Sequence, residues 1–373
     1  MTSLYSRIWT QLLRDRLLMA LIALFPLVFL LAPVPVSALP HLVDWKTVAA
    51  LAGLMVLSRG LELCGLIDRA GRWLLTRLHS LRGLAVAMVV FAALLSAVVT
   101  NDVALFVTVP LTLTLARMAA LPVGRLVVFQ ALAVNAGSAG SPVGNPQNLF
   151  LWQQSGAGFL EFTLALLPMA GAMMALVLAL VPMAFDRESL AMAPNPQRVP
   201  LQVGLMTLSL AAYPLFLWAV NAGLAEPAAA LVILLFALSF RQVLRGISWA
   251  LLLIFVLMFV NLGLLGRIPA VAALVAGAMQ GPSEAFALGA ILSQLMSNVP
   301  AAILLAGFTE EWRALAWGVN AGGFGLAIGS LANLIALRLA PAPSLWWDFH
   351  RWSLPMLLAS ALAGALLLAI MPG

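Results

Sequence analysis

The sequence predicts an all-α polytopic membrane protein built from two inverted repeats. Three observations point there. Hydrophobic residues make up 64% of the 373 positions and charged residues only 9%, whereas soluble domains carry about 25% charged residues. Apolar runs long enough to cross a hydrocarbon core of about 30 Å recur along the chain. Finally, Val134–Asn148, VNAGSAGSPVGNPQN, returns as Val319–Asn333, VNAGGFGLAIGSLAN. Asn135, Gly137, Gly140, Gly144 and Asn148 recur in register as Asn320, Gly322, Gly325, Gly329 and Asn333. Glycine weakens a helix by roughly 1 kcal/mol relative to alanine, and Pro142 and Pro146 each remove a backbone donor. Unwound backbone at membrane depth survives only where protein or a cavity surrounds it. Paired breaks in two half-chains mark a transporter's binding site better than any other sequence signal.

The elements follow in order. Met1–Arg16 is short and basic, and Leu17–Val36 is the first span; it is too long for a signal sequence and has prolines where a cleavage site would be. Trp45–Leu66 is the second. Asp68–Arg82, with four arginines, reads as an interfacial helix on the cytoplasmic side. Gly83–Ala116 is apolar on both sides of a polar tip, Thr100-Asn101-Asp102, and its counterpart Ala285–Phe308 has the tip Ser297-Asn298. The second hairpin's first arm holds about 12 residues, roughly 18 Å of helix, too short to cross. Both segments are therefore expected to be re-entrant hairpins.

A broken helix, Leu126–Trp152, and a return span, Phe162–Phe185, complete the first repeat (1–185). A polar linker, 186–202, follows. The second half, 203–373, opens with an extra crossing at Val203–Val220, then Ala228–Phe240 and Trp249–Leu265. The second hairpin, the second broken helix (Leu315–Leu339) and a last span, Trp352–Ile370, close the chain. The path has about nine crossings, with the N-terminus inside and the C-terminus outside. Of 19 Lys and Arg residues, only Lys46, Arg267 and Arg313 then fall outside, as the inside preference of basic residues requires. The net charge of +6 accordingly reflects topology rather than nucleic-acid binding.

Asp102 is the acid expected near the midplane, where carboxylates usually mark ion or proton paths. Its position at a helix start also suits capping, and the two roles are compatible. Thr100 and Asn101 match Ser297 and Asn298. Hydroxyl and amide oxygens at a helix break suit sodium, while half-helix N-termini suit anions; interhelical hydrogen bonding is the plainer role for the hydroxyls. Glu62 and Arg59 are spaced for a local ion pair. His41, His79 and His350 lie at span ends and Cys64 is the single cysteine, so neither a metal cluster nor a disulfide framework is expected. No Walker-type element is present, which excludes a nucleotide as direct energy source. Ser138 and Ser141 have no histidine in a span interior, which argues against an intramembrane protease or any other enzyme.

TNDVALFVTVPL at Thr100–Leu111, followed by NAGSAGSPVGNPQNLFLW, resembles the ion-transporter superfamily. That group holds arsenical-pump permeases, NhaD-type sodium/proton antiporters, citrate transporters and divalent-anion/sodium symporters, and the resemblance is strongest to the YbiR-type inner-membrane transporters. It covers nearly the whole chain. In the symporter branch, Ser-Asn-Thr tips and the following loops hold sodium and a substrate carboxylate. The resemblance implies a first cation site at Thr100, Asn101, Asn135, Gly137 and Asn145. It implies a second at Ser297, Asn298, Asn320, Gly322 and Asn333, and it adds Asn148 to the substrate- and ion-binding set. Sodium itself is expected at Thr100, Asn101 and Asn145 and at Ser297, Asn298 and Asn320. The third tip residue departs from the symporter pattern, being Asp102 in one half and Val299 in the other. That leans toward the arsenical and antiporter branches and proton coupling.

The functional expectation is a secondary active transporter of the bacterial inner membrane, working by alternating access. It would move a small inorganic or carboxylate anion, with sodium or protons as coupling ion and no other cofactor. The rival is cation/proton antiport or arsenite efflux with Asp102 as the exchanging group. A channel would instead need a continuous pore. The expected partners are the bilayer, the anionic solute and a second copy in a homodimer, as in relatives, with no nucleic acid and no nucleotide.

Overall fold

The computed structural model describes residues 16–67, 69, 78, 80–116, 121–189, 200–340 and 344–371. The described part is almost entirely helical. In chain order the helices are α1 (Arg16–Leu31), α2 (Trp45–Leu63), α3 (Leu81–Val99), α4 (Asn101–Leu115), α5 (Val123–Ser138), α6 (Pro146–Ser155), α7 (Phe159–Ala184) and α8 (Val203–Asn221). They continue as α9 (Ala225–Ser239), the short α10 (Arg241–Arg245), α11 (Trp249–Leu265), α12 (Pro269–Ala278), α13 (Pro282–Met296), α14 (Asn298–Leu305), α15 (Trp312–Ala321), α16 (Leu331–Leu339) and α17 (Leu345–Ile370).

Local chemistry accounts for the starts and stops. Asp44 caps α2 by accepting from Thr47 N, Ser80 caps α3 by accepting from Gly83 N, and Asn145 caps α6 by accepting from Asn148 N. Each satisfies a backbone donor that the first helical turn leaves unpaired. The C-terminal end of α7 carries unpaired carbonyls, and two arginines answer them. Arg82 donates to Phe185 O at 2.9 Å, and Arg125 donates to Ala184 O at 2.7 Å. Cations are favoured at that end of a helix.

Two breaks stand out. Between α3 and α4, Thr100 has φ 79°; between α13 and α14, Ser297 has φ 77°. Side-chain-bearing residues pay for such a backbone, a β-branched threonine most of all, and strain of this kind concentrates at functional sites. These two residues are the first positions of the two expected tips. Both expected hairpins are therefore helix–break–helix units, and both expected broken helices are broken. The first is interrupted between Ser138 and Pro146, the second between Ala321 and Leu331.

The packing crosses the halves. Within each repeat, the hairpin's first arm lies against the first part of the broken helix: α3 on α5, and α13 on α15. The second parts exchange, with α4 packing on α16 and α14 on α6. Around this unit, α2 packs on α8 and α9, and α1 on α11.

The structure alters several boundaries. The first span ends at Leu31, and a 3-10 helix, Val36–Leu42, turns away by 120°. Following α11, α12 bends off by 88°; it had no counterpart in the sequence reading, and Pro269 at its first position is the signal that announces it. The last helix begins at Leu345, before the expected Trp352. Among the described residues, four helices (α3, α7, α8 and α17) are long and apolar enough to cross a membrane, or six spans if each bent pair counts as one. The hairpins are unequal. α3 has 19 residues and the length to cross, whereas α13 has 15 and spans only about 22 Å. The interfacial helix and the linker lie mostly outside the described residues.

Candidate solute- and ion-binding site

The site is assembled from four helix N-termini (α4, α6, α14 and α16) and the C-terminal ends of α5 and α15. Its core is a pair of asparagine contacts between the two repeats. Asn135 Nδ2 donates to Asn333 Oδ1 at 2.7 Å, and Asn320 Nδ2 donates to Asn148 Oδ1 at 2.6 Å. These are the same contact made twice with the repeats exchanged. The match extends further. Asn135 also donates to Ala131 O and Asn320 to Ala316 O, each one turn back on its own helix. Asn148 donates to Ser138 O and Asn333 to Gly323 O, each closing its own loop. All four are buried, and a buried amide left unpaired costs about 1–3 kcal/mol. The recurring asparagines thus explain one another: each fastens one repeat's loop to the other's.

Residues allotted by sequence to different sites are brought together. Asn145 Nδ2 donates to Asn320 Oδ1 at 3.0 Å and to Ser138 Oγ at 3.1 Å. Its counterpart in the second repeat is Ser330, whose buried hydroxyl has no partner. Gly137 and Gly322 are sites of close approach. A Cβ on Gly137 would stand 2.1 Å from Ala93 O; one on Gly322 would stand 2.5 Å from Ser293 Cβ. No side chain fits there.

The tips bond locally. Thr100 Oγ1 donates to Asp102 Oδ1 at 2.6 Å, and Asn101 Oδ1 accepts from Asp102 N. Asp102 is in the first turn of α4 and half-buried, so its carboxylate takes the threonine hydroxyl while the cap position belongs to Thr100. Ser297 is half-buried; Asn298 is buried and its Nδ2 has no partner. The two half-sites are chemically unlike, one with a carboxylate and one without.

Several residues escaped the sequence reading. Gln294 Nε2 donates to Gly322 O (2.7 Å) and Phe324 O (3.2 Å), and its Oε1 accepts from Leu326 N, tying α13 to the second loop. His350 Nε2 accepts from Ala327 N in that same loop. Ser96 donates to Val134 O, holding α3 to α5, and Ser293 occupies the matching place on α13. Tyr213 on α8 donates to Val98 O, joining a peripheral helix to the last turn before the first tip. Polar residues a turn ahead of each tip were the available signal for Ser96, Ser293 and Gln294. His350 and Tyr213 carried none, because their partners are distant backbone. The Arg59–Glu62 pair forms as expected, at 2.5 Å. Among the described residues, no group of three or more His, Cys, Asp or Glu side chains is placed to hold a metal ion.

Broken helices tied to each other by buried asparagines are the arrangement expected of a membrane transport protein. The chain belongs to the citrate transporter family, whose model matches residues 8–317. The inner membrane protein YbiR of Escherichia coli K12 is 44% identical over 334 residues, covering 89% of this chain and 90% of that protein. An uncharacterised transporter of Methanocaldococcus jannaschii is 31% identical over 307 residues, covering 80% of this chain and 82% of its own length. A silicon efflux transporter of Oryza sativa subsp. japonica is 31% identical over 157 residues, 42% of this chain and 32% of that one. The family and the second and third of these relatives carry the names of transporters.

Proposed function

We propose that this protein is a secondary active transporter of the bacterial inner membrane that moves a small inorganic or carboxylate anion, coupled to sodium or protons. The observation that carries this reading is the exchanged asparagine pair. A solute bound between the loops touches both repeats at once, so a rearrangement of one against the other changes which side reaches it. The four helix N-termini favour an anion, and the tip oxygens of Thr100, Asn101 and Ser297 suit a cation beside it. The two halves are read as inverted repeats, with hairpin tips near the midplane, about nine crossings and the C-terminus outside. A homodimer through the peripheral helices completes this reading.

A second reading is favoured by one specific observation. Asp102 has no acidic counterpart, since Val299 stands at its place in the second half, so a single exchangeable charge sits in the site. In that case the protein is a cation/proton antiporter or an arsenite efflux permease, with Asp102 as the exchanging group.

Asp102→Asn separates a coupling role from a structural one, because an amide oxygen still accepts from the Thr100 hydroxyl while the ionisable group is gone. In proteoliposomes the variant is expected to lose accumulation driven by a sodium or proton gradient while keeping downhill exchange. Driven accumulation at wild-type rates would leave Asp102 a structural residue and remove it from either coupling scheme.

A further inference from the structure

Resting on the reading of this centre as the solute site, we propose that Gln147 and Asn298 form a subsite for a solute hydroxyl, so that the transported anion is an oxyacid that retains an O–H. Two buried polar atoms lead there. Gln147 and Asn298 are each 2% exposed. Gln147 Oε1, an acceptor, and Asn298 Nδ2, a donor, have no partner. They lie at the N-terminal turns of α6 and α14, two helices that pack on each other across the repeats.

The orientation of the glutamine amide is set by its surroundings. Its Nε2 faces Asn320 Oδ1 at 3.5 Å, an oxygen that already accepts from Asn145. Turning the amide over would place oxygen against oxygen, so Oε1 is the atom left to a ligand. Gln147 also has no equivalent, because Ala332 stands at its place in the second repeat. Its one contact with the exchanged asparagine pairs is the 3.5 Å approach of Nε2 to Asn320 Oδ1. Phe150, Leu151 and Gln154 follow Gln147 along α6, at the spacing that stacks helical side chains. Phe150 and Gln154 line a cavity of about 520 Å³, and Leu151 and Gln154 line a second of about 500 Å³. Ala306, just past α14, borders both.

An unpaired donor on one of two packed helices and an unpaired acceptor on the other are both satisfied by a group that accepts and donates at once, which is what a hydroxyl does. A fully deprotonated oxyanion offers acceptors only. It would pair with Asn298 Nδ2 and leave Gln147 Oε1 buried against negative charge. Sites that hydrogen-bond a solute hydroxyl reject the analogue lacking it strongly, since their own buried groups are then stranded.

The test compares radiolabelled phosphate with sulfate in proteoliposomes of the full chain at neutral pH. Both are tetrahedral oxyanions of similar size, but only phosphate keeps an O–H. Phosphate is expected to have an apparent KM lower by about a hundredfold or more, and sulfate should compete poorly. Gln147→Met, which removes the acceptor at similar volume, is expected to bring the two within about threefold. Should that variant fail to fold, the wild-type comparison decides alone. Saturable movement of sulfate as readily as phosphate overturns the hydroxyl subsite and leaves the transporter reading standing. Movement of neither overturns the oxyacid assignment; the transporter reading falls only if citrate, malonate and chloride also show no saturable flux.

Discussion

Asn135 and Asn333 illustrate how much one side chain holds at this centre. Both are buried; Asn135 donates to Asn333 Oδ1 and to Ala131 O, while Asn333 donates to Gly323 O in its own loop. Asn135→Ala strands the Asn333 carbonyl oxygen and is expected to cost about 1–3 kcal/mol, read as a fall in the unfolding midpoint in detergent. Because the two residues share one contact, the Asn135→Ala/Asn333→Ala double variant should lose less than the sum of the singles, by about 0.5–3 kcal/mol. Additive losses would mean that the contact contributes nothing. The tip asparagines behave differently. Neither makes a side-chain bond to the loops, so Asn101→Ala and Asn298→Ala are both expected to fold, the first raising the apparent KM for the coupling ion and the second that for the solute. Unchanged ion dependence in the first and unchanged solute dependence in the second would reduce the tips to structural turns.

Element-scale features were legible in the sequence where chemistry repeats and obscure where it does not. The two interrupted helices were readable because glycine, proline and asparagine recur in register. The tips were readable because polar residues interrupt apolar arms. Residue roles within the loops were less so. Sequence placed Asn145 and Asn320 in separate sites, and the structure bonds them, because the second parts of the helices exchange between halves. Nothing in a linear pattern encodes that exchange. Bend angles were equally hidden, as at α11–α12, where the Gly266–Pro269 connection turns the chain by 88° between two apolar helices. The glycines offer a sharp contrast. Gly137→Ala sets a Cβ against backbone of α3 and is expected to cost about 1–3 kcal/mol. Gly171→Ala, on α7 with no heavy atom within 4 Å of the new Cβ, should be neutral or slightly stabilising. Equal thermal stability of the two variants would contradict the close packing of α3 on α5.

On the scale of the whole molecule, the account joins two unlike half-sites within one near-symmetric frame. The first offers Asp102 and Thr100; the second offers Asn298 and, across the repeat boundary, Gln147. One reading of this inequality is a cation held on one side and a solute on the other. On the proposed nine-crossing path the C-terminal end lies outside, so an alkaline-phosphatase fusion there should be active and a fluorescent-protein fusion dark; the reverse would break that path and the inverted relation of the halves. The central claim is coupled transport, and concentrative uptake tests it most directly. Purified protein in proteoliposomes, given an inward sodium or proton gradient, should accumulate an anion above its external concentration, with saturable kinetics and collapse on adding an ionophore. Flux that rises linearly with concentration and ignores both gradients would contradict the account and describe a channel instead.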